Sequence, residues 1–334
     1  MQEKGFKIIE AGHPTPDGNS VLGAKEVVKL ADEISDQDTV LFLLSGGGSS
    51  LVELPAPGLE LADIQEVTQK LLFCGAKITE INVLRKKLSA LKGGKLARYV
   101  RHAKAYSIIL SDVVGDQEDM IASGLTYPDD STVQDVRRII DKYGLELNEK
   151  VKRVLSDSQP CKEVNVKNYV VGSVRELCQA AAAHVRELGY HSYILTTSMQ
   201  GEAKAAGKWI ASMSQADYTR PFAVIAGGET IVRVTGDGLG GRNQEIALSA
   251  AKELNGQKNV LLFSLGSDGT DGPTDAAGGI VDGETVAMLK KRGVDVEEAL
   301  ENNDSYHALQ CVDSLIMTGA TGTNVNDVTV LLVR

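Results

Sequence analysis

Aromatic side chains make up only 4% of this sequence, and there is a single tryptophan, so its cores must be built from aliphatic residues. The four cysteines, Cys74, Cys161, Cys178 and Cys311, are scattered, and none forms a C-x-x-C pair. Neither a zinc site nor a dithiol redox pair is therefore indicated, and the thiols suit a reducing cytosol. No apolar run approaches the length needed to span a bilayer. The first residues, M-Q-E-K-G-F-K-I-I-E, lack the apolar core of a signal peptide. Positive charge is in deficit, with 35 Lys and Arg against 45 Asp and Glu and a net charge of -10. That balance argues against a general nucleic-acid binder and against a basic membrane-surface protein. It leaves room for a local basic pocket around an anionic substrate. The expectation is a soluble cytoplasmic protein with small-molecule partners, no nucleic acid and no membrane; a homodimer is left open.

What the chain has in quantity is glycine, 34 residues that gather at the ends of apolar runs. Its 334 residues, 43% of them hydrophobic, suggest two globular domains. Apolar runs at 40–44, 106–110, 168–172, 192–197, 222–226, 230–235 and 259–265 read as strands, and T-N-V-N-D-V-T-V-L-L-V leads into a final one. Stripes of helical period at 20–34, 61–73, 79–91, 131–143, 174–188, 201–214 and up to about 254 lie between them. Strands alternating with helices predict a mainly parallel, doubly wound sheet. Residues 215–221, Q-A-D-Y-T-R-P, read as the linker, which sets domains at 1–217 and 218–334.

The stretch that organises the chain is V-L-F-L-L-S-G-G-G-S-S at 40–50. Five apolar residues suit a central strand covered on both faces. Ser45, Gly46, Gly47, Gly48, Ser49 and Ser50 then supply hydroxyls and a backbone that a ligand can approach closely. In α/β sheets ligands bind beyond the carboxyl ends of strands, and bare amides there suit a phosphate. A small-residue solvent turn is the competing reading. No Gly-Lys-Ser/Thr follows, so this is not a Walker A loop.

Other candidates also follow apolar runs. Arg85, Lys86 and Lys87, with Lys92 and Lys95 after them, are either a solvated face or part of an anion site. His13 lies in a His-Pro turn. Asp112 and Asp116 follow the run at 106–110, and such carboxylates either hold Mg²⁺ or close a turn. Gly227, Gly228, Glu229 and Thr230 follow the run at 222–226. Gly236, Gly238 and Gly241 satisfy G-x-G-x-x-G, but Asn255 stands near where a ribose-binding acid would fall. Arg242, Asn243, Asp268, Asp271 and Asn324 complete the set.

Taken together, L-S-G-G-G-S-S, I-N-V-L-R-K-K-L-S-A-L-K-G-G, I-L-S-D-V-V-G-D, G-G-R-N-Q-E, S-D-G-T-D-G-P-T-D-A-A-G-G, N-D-S-Y and T-G-T-N-V-N-D resemble the glycerate 2-kinase family that carries a C-terminal MOFRL domain. The resemblance implies two three-layer α/β/α domains. The first would be Rossmann-like with a mainly parallel sheet, the second a smaller mixed-sheet MOFRL domain, with the ligand cleft between them. It implies transfer of the γ-phosphoryl group of ATP to the 2-hydroxyl of D-glycerate, with Mg²⁺. Arg242, Lys92 and Asp268 would be catalytic, and Asp112 and Asp271 would hold the metal. Ser45–Ser50, Gly227, Gly228, Glu229, Thr230, Asn243 and Asn324 would bind substrate or ATP. Family members also carry a preceding segment with a first strand, a glycine loop and a lysine, and Met1 falls inside the family pattern. Two other functions fit the residues: an NAD-dependent hydroxypyruvate reductase, and a non-catalytic nucleotide or sugar-acid binder.

Overall fold

A computed structural model describes residues 6–113, 115 and 119–334. The chain forms two compact units, one of residues 1–111 and 117–171, the other of 112–116 and 172–334.

The first unit runs α1 (Gly18–Asp32), β1 (Thr39–Leu44), α2 (Gly48–Leu51), α3 (Leu61–Phe73), α4 (Ile78–Leu88), α5 (Lys95–Tyr99), β2 (Lys104–Leu110), α6 (Val133–Tyr143), α7 (Glu149–Asp157) and β3 (Lys167–Gly172). Its sheet has the order β1-β2-β3, and β1 runs parallel to β2. α1 starts at Asp17, whose carboxylate accepts from the amides of Asn19 and Ser20. The stripes of α3 and α4 meet those of α6 and α7 in an aliphatic cluster that includes Ile64, Leu71, Leu84, Leu88, Ile139 and Leu155. One expectation fails here. Among the described residues only one face of β1 is covered: Phe42 and Leu44 pack beneath α1, while Leu41 and Leu43 are 57% and 73% exposed.

The second unit contains α8 (Val174–Glu187), β4 (His191–Met199), α9 (Ala203–Ser212), β5 (Phe222–Gly228), α10 (Arg242–Leu254), β6 (Val260–Gly266), β7 (Gly278–Asp282), α11 (Thr285–Lys291), α12 (Val296–Glu301), α13 (Ser305–Gln310), β8 (Leu315–Ile316) and β9 (Asp327–Val333). The sheet order is β4-β5-β9-β6-β7-β8. Only β4 and β5 are parallel; β9, β6, β7 and β8 join antiparallel to their neighbours. Helices cover both faces. α8 packs on Ala223, Ile225, Val328 and Val330, and α9 and α10 pack on Phe222, Val224, Leu262 and Leu331.

The spatial division falls at 171/172, not at 217/218. β4 belongs with β5 because the two are hydrogen-bonded along their length. The expected linker is packed: Tyr218 stacks on Tyr193 with ring centroids 4.3 Å apart, and Arg220 donates to the carbonyls of Ser214 and Arg334. The larger sheet therefore lies in the second unit. Residues 230–235 form no strand; Ile231 makes one isolated bridge, to Glu202.

Candidate active site

In the first unit the glycine loop ends β1 as its sequence requires. Gly47 takes a left-handed φ of 78° and starts the short α2, a conformation costly for a side chain with Cβ. A Cβ on Gly48 would lie 2.7 Å from that of Ala122. Ser50 turns inward and donates to the carbonyl of Gly47 at 3.0 Å, and Ser49 pairs with Ser123 at 2.7 Å. Ser45 is exposed. The His13 ring packs beside Gly47. The first amides of α2 have no intrahelical acceptor, as at any helix start.

In the second unit one end of the sheet gathers the motifs. Asp327 opens β9 and is paired in register with Gly228 at the end of β5 and Gly266 at the end of β6. Arg242, the first residue of α10, faces it. Its Nε and Nη2 donate to the two oxygens of Asp327 at 2.6 and 3.1 Å, and Nη1 donates to Glu229 at 2.7 Å. Burial opposes the charge of Arg242, but the bonds and charge of Asp327 overcome it and hold the pKa above its ordinary value. The Asp327 side chain is 2% exposed and that of Glu229 is 44% exposed, so one partner is fixed and the other is wet.

Asp271 does not stand ready for a metal. Both its oxygens cap α10, accepting from the amides of Asn243 at 3.1 Å and Gln244 at 2.8 Å. Gly241 must be glycine to admit it, since a Cβ there would meet the Asp271 carboxyl carbon at 2.3 Å. Burial pushes the Asp271 pKa up to about 6. Asn243 is fully buried, and its side-chain oxygen accepts from Ser264 at 2.6 Å.

Several other expected ligands are engaged within the chain. Lys92 is fully buried, and its ammonium is committed to Glu53. Lysines on either side of it are likewise engaged from within. Lys86 pairs with Asp119 at 2.7 Å, Lys87 pairs with Asp129 at 2.6 Å, and Lys95 donates to the carbonyls of Lys86 and Ser89. Gly227 and Gly228 lie inside the sheet rather than in a cradle. A Cβ on Gly227 would strike Cys178, and one on Gly228 would strike the Met199 carbonyl oxygen at 2.2 Å. Asp268, half-buried beyond β6, accepts from the Thr270 amide in an Asx turn. Asn324 is exposed and accepts from the Asn326 amide. Asp112 is half-buried after β2, and Asp116 lies outside the described residues. Among the described residues no three His, Cys, Asp or Glu side chains are gathered as a metal site.

The G-x-G-x-x-G match has a structural meaning too. Asn303 accepts from the amides of Thr235 and Gly236, Asn302 from that of Asp237, and Asp304 from that of Leu239. Amides so committed cannot hold a pyrophosphate. Two residues of the site escaped the sequence reading. Asp327 closes the motif T-G-T-N-V-N-D, and its place at the start of the last strand was the available signal. Glu245 closes G-G-R-N-Q-E, three residues after Arg242 and so on the same helix face.

Two family models match the chain, a domain of unknown function (DUF4147) over residues 1–156 and the MOFRL family over 222–327. A D-glycerate 2-kinase from Thermotoga maritima is 50% identical, with 98% of this chain aligned to 80% of that protein. The chain belongs to the glycerate 2-kinase family. A crystal structure of glycerate kinase from the same organism superposes with a TM-score of 0.96 at 49% identity, covering all of this chain and 82% of that one. Another member, from Agrobacterium vitis, carries the name putative hydroxypyruvate reductase at 38% identity, with 98% of this chain and 88% of that protein aligned. The MOFRL match begins inside the second unit, downstream of β4, so the family's sequence boundary and the spatial boundary differ.

Proposed function

We propose that this protein is a cytoplasmic kinase that phosphorylates D-glycerate at the 2-hydroxyl with ATP, giving 2-phosphoglycerate and ADP. The observation that carries this reading is the half-committed guanidinium of Arg242. Phosphoryl transfer asks a protein for positioning and charge neutralisation more than for covalent chemistry. Asp327 fixes one edge of the Arg242 fork through Nε and Nη2. Glu229 holds Nη1 through a single wet contact. Of the five guanidinium N–H groups two remain, and displacing Glu229 releases a third. That edge suits a carboxylate or a developing phosphoryl charge.

The remaining roles follow from placement. Amides of residues 46–49 offer a phosphate cradle, that of Ser50 being committed to the Gly47 carbonyl. Asp268, beyond the end of β6 and half-buried, is the candidate acceptor for the substrate hydroxyl proton. Mg²⁺ enters bound to the nucleotide phosphates, as in kinase sites generally, and no step is assigned to a protein-held ion. The hydroxypyruvate reductase reading is disfavoured because the glycine loop that suggested it has its amides engaged by Asn302, Asn303 and Asp304. No described helix is long and apolar enough to cross a membrane.

The test is an assay with ATP, Mg²⁺ and D-glycerate coupled to enolase alone, which accepts only the 2-phospho isomer. An enolase signal is the expected result. A signal that needs phosphoglycerate mutase refutes the regiochemistry. NADH oxidation with hydroxypyruvate and no ADP release establishes the reductase instead. Ligand binding without turnover of either kind establishes a non-catalytic binder.

A further inference from the structure

Beside Arg242 lies a cavity of about 830 Å³ within the second unit, lined in part by Glu229, Thr230, Gly241, Glu245 and Asn303. Two of these carry an unusual feature. The Glu245 side chain is 2% exposed, and while Oε2 accepts from Asn303 at 3.2 Å, Oε1 has no hydrogen-bond partner among the described residues. Its nearest cation, Lys204, is 3.8 Å away, beyond hydrogen-bond reach. Thr230 is 2% exposed, and its hydroxyl also lacks a partner. Buried polar atoms are hydrogen-bonded in the great majority of cases, and a carboxylate oxygen held only by a distant ion pair, without a hydrogen bond, is costly. Both residues line one cavity, next to a cation with open donors, and together they mark a surface shaped for something polar.

We propose that Glu245 and Thr230 form a hydroxyl-recognition subsite for a ligand whose anionic group is held by Arg242. The chemistry selects the class. Glu245 Oε1 can only accept, so it calls for a donor and repels a second anionic group; the Thr230 hydroxyl can give or accept. A hydroxyl meets both demands. Arg242 and Glu245 are three apart on α10, on one face and about 5–6 Å between Cβ atoms. A ligand carrying an anionic group and a hydroxyl a few bonds apart spans that interval. Glycerate meets this description through its carboxylate and 3-hydroxyl, and a nucleotide meets it through a phosphate and ribose hydroxyls. The proposal rests on the kinase reading for the choice of ligands, but its test is one of binding.

Affinities of D-glycerate and D-lactate, which lacks the 3-hydroxyl, and of ATP and its 2′-deoxy and 3′-deoxy forms, are measured by calorimetry. The proteins are the wild type, Thr230→Val and Glu245→Met. In the wild type one hydroxylated ligand is expected to bind at least about tenfold more tightly than its deoxy partner, the worth of one charge-assisted hydrogen bond. Both variants are expected to lose that preference while binding the deoxy partner unchanged. A preference lost in the glycerate pair assigns the subsite to the sugar acid, and one lost in the ATP pairs assigns it to ribose. Thr230→Val is isosteric and removes an unpaired buried hydroxyl, so its midpoint in urea should not fall. A wild type with no preference in any pair, or variants that keep it, overturns the subsite. Discrimination without ADP release keeps the subsite and removes the kinase, whereas ADP release with unaltered discrimination does the reverse.

Discussion

Lys92 in the first unit and Arg242 in the second are both cations that the motifs mark as catalytic, and both face carboxylates. The difference lies in the partners. Lys92 and Glu53 are sealed from water, at 0% and 2% side-chain exposure. Arg242 is 32% exposed and is divided between a sealed partner, Asp327, and a wet one, Glu229. A cation whose only partner is fully buried has nowhere to receive a ligand, and its work is to keep a buried charge neutralised. A cation held on one edge and loosely covered on the other is positioned and still available. Residue type and motif membership do not separate these cases; the burial of the counter-charge does.

The sharpest way to break this contrast is to remove Lys92. Lys92→Ala leaves Glu53 buried without its cation, and truncating one member of a buried pair costs about 3–5 kcal/mol. The double variant Lys92→Met, Glu53→Leu should recover most of that loss, because replacing a buried pair with apolar side chains is often neutral. Urea unfolding of the two variants decides it. If Lys92→Ala unfolds as the wild type does while its turnover collapses, Lys92 belongs with Arg242. The converse substitution, Arg242→Lys, keeps the charge and loses the fork. It should lower kcat/KM by an amount equal to about 2–4 kcal/mol, the worth of a donor aimed at transition-state charge, with a smaller fall in the unfolding midpoint than Lys92→Ala shows, because the charge facing Asp327 is kept. Wild-type turnover in that variant would make Arg242 structural too.

Much of this was legible beforehand. The glycine loop after β1 and the place of Arg242 at the head of α10 could be read from local pattern, because turn chemistry and helix starts are local. The covering of β1 could not. A run of apolar residues gives the period of a strand but not what packs on each face, and Leu41 and Leu43 turn out exposed, whereas every residue of β5 is buried. The compact units divide at 171/172 rather than at 217/218 for a related reason. β4 is separated in sequence from β5 by α9 and a polar stretch, yet the two are joined by hydrogen bonds that no local pattern encodes. The pairing of Lys92 could not be read because its partner lies 39 residues earlier. Asp271 was read as a ligand because a carboxylate that caps a helix from another loop looks, in sequence, like one that binds a metal.

Asp271 gives the smallest effect and tests the contrast from the side of the carboxylates. Burial raises its pKa from 3.8 to about 6 in the folded state. The unfolded chain therefore releases this proton at lower pH than the folded one. Between about pH 4 and 6 the unfolded state binds fewer protons, so this group's contribution to stability falls as pH rises. A shift of this size is worth up to about 3 kcal/mol. Asp271→Asn removes the titration. Its carboxamide oxygen can still accept one α10 amide, but its NH₂ cannot accept the other, so the variant should lose about 1 kcal/mol of capping at every pH. The stability of Asp271→Asn relative to the wild type should then rise between pH 4 and 7, from a deficit toward parity or a gain. Urea unfolding of both proteins at pH 4, 5, 6 and 7 measures that difference. A difference that stays flat across the range would mean that the capping amides hold the Asp271 carboxylate charged despite its burial, and that it is a plain helix cap with no stored proton affinity.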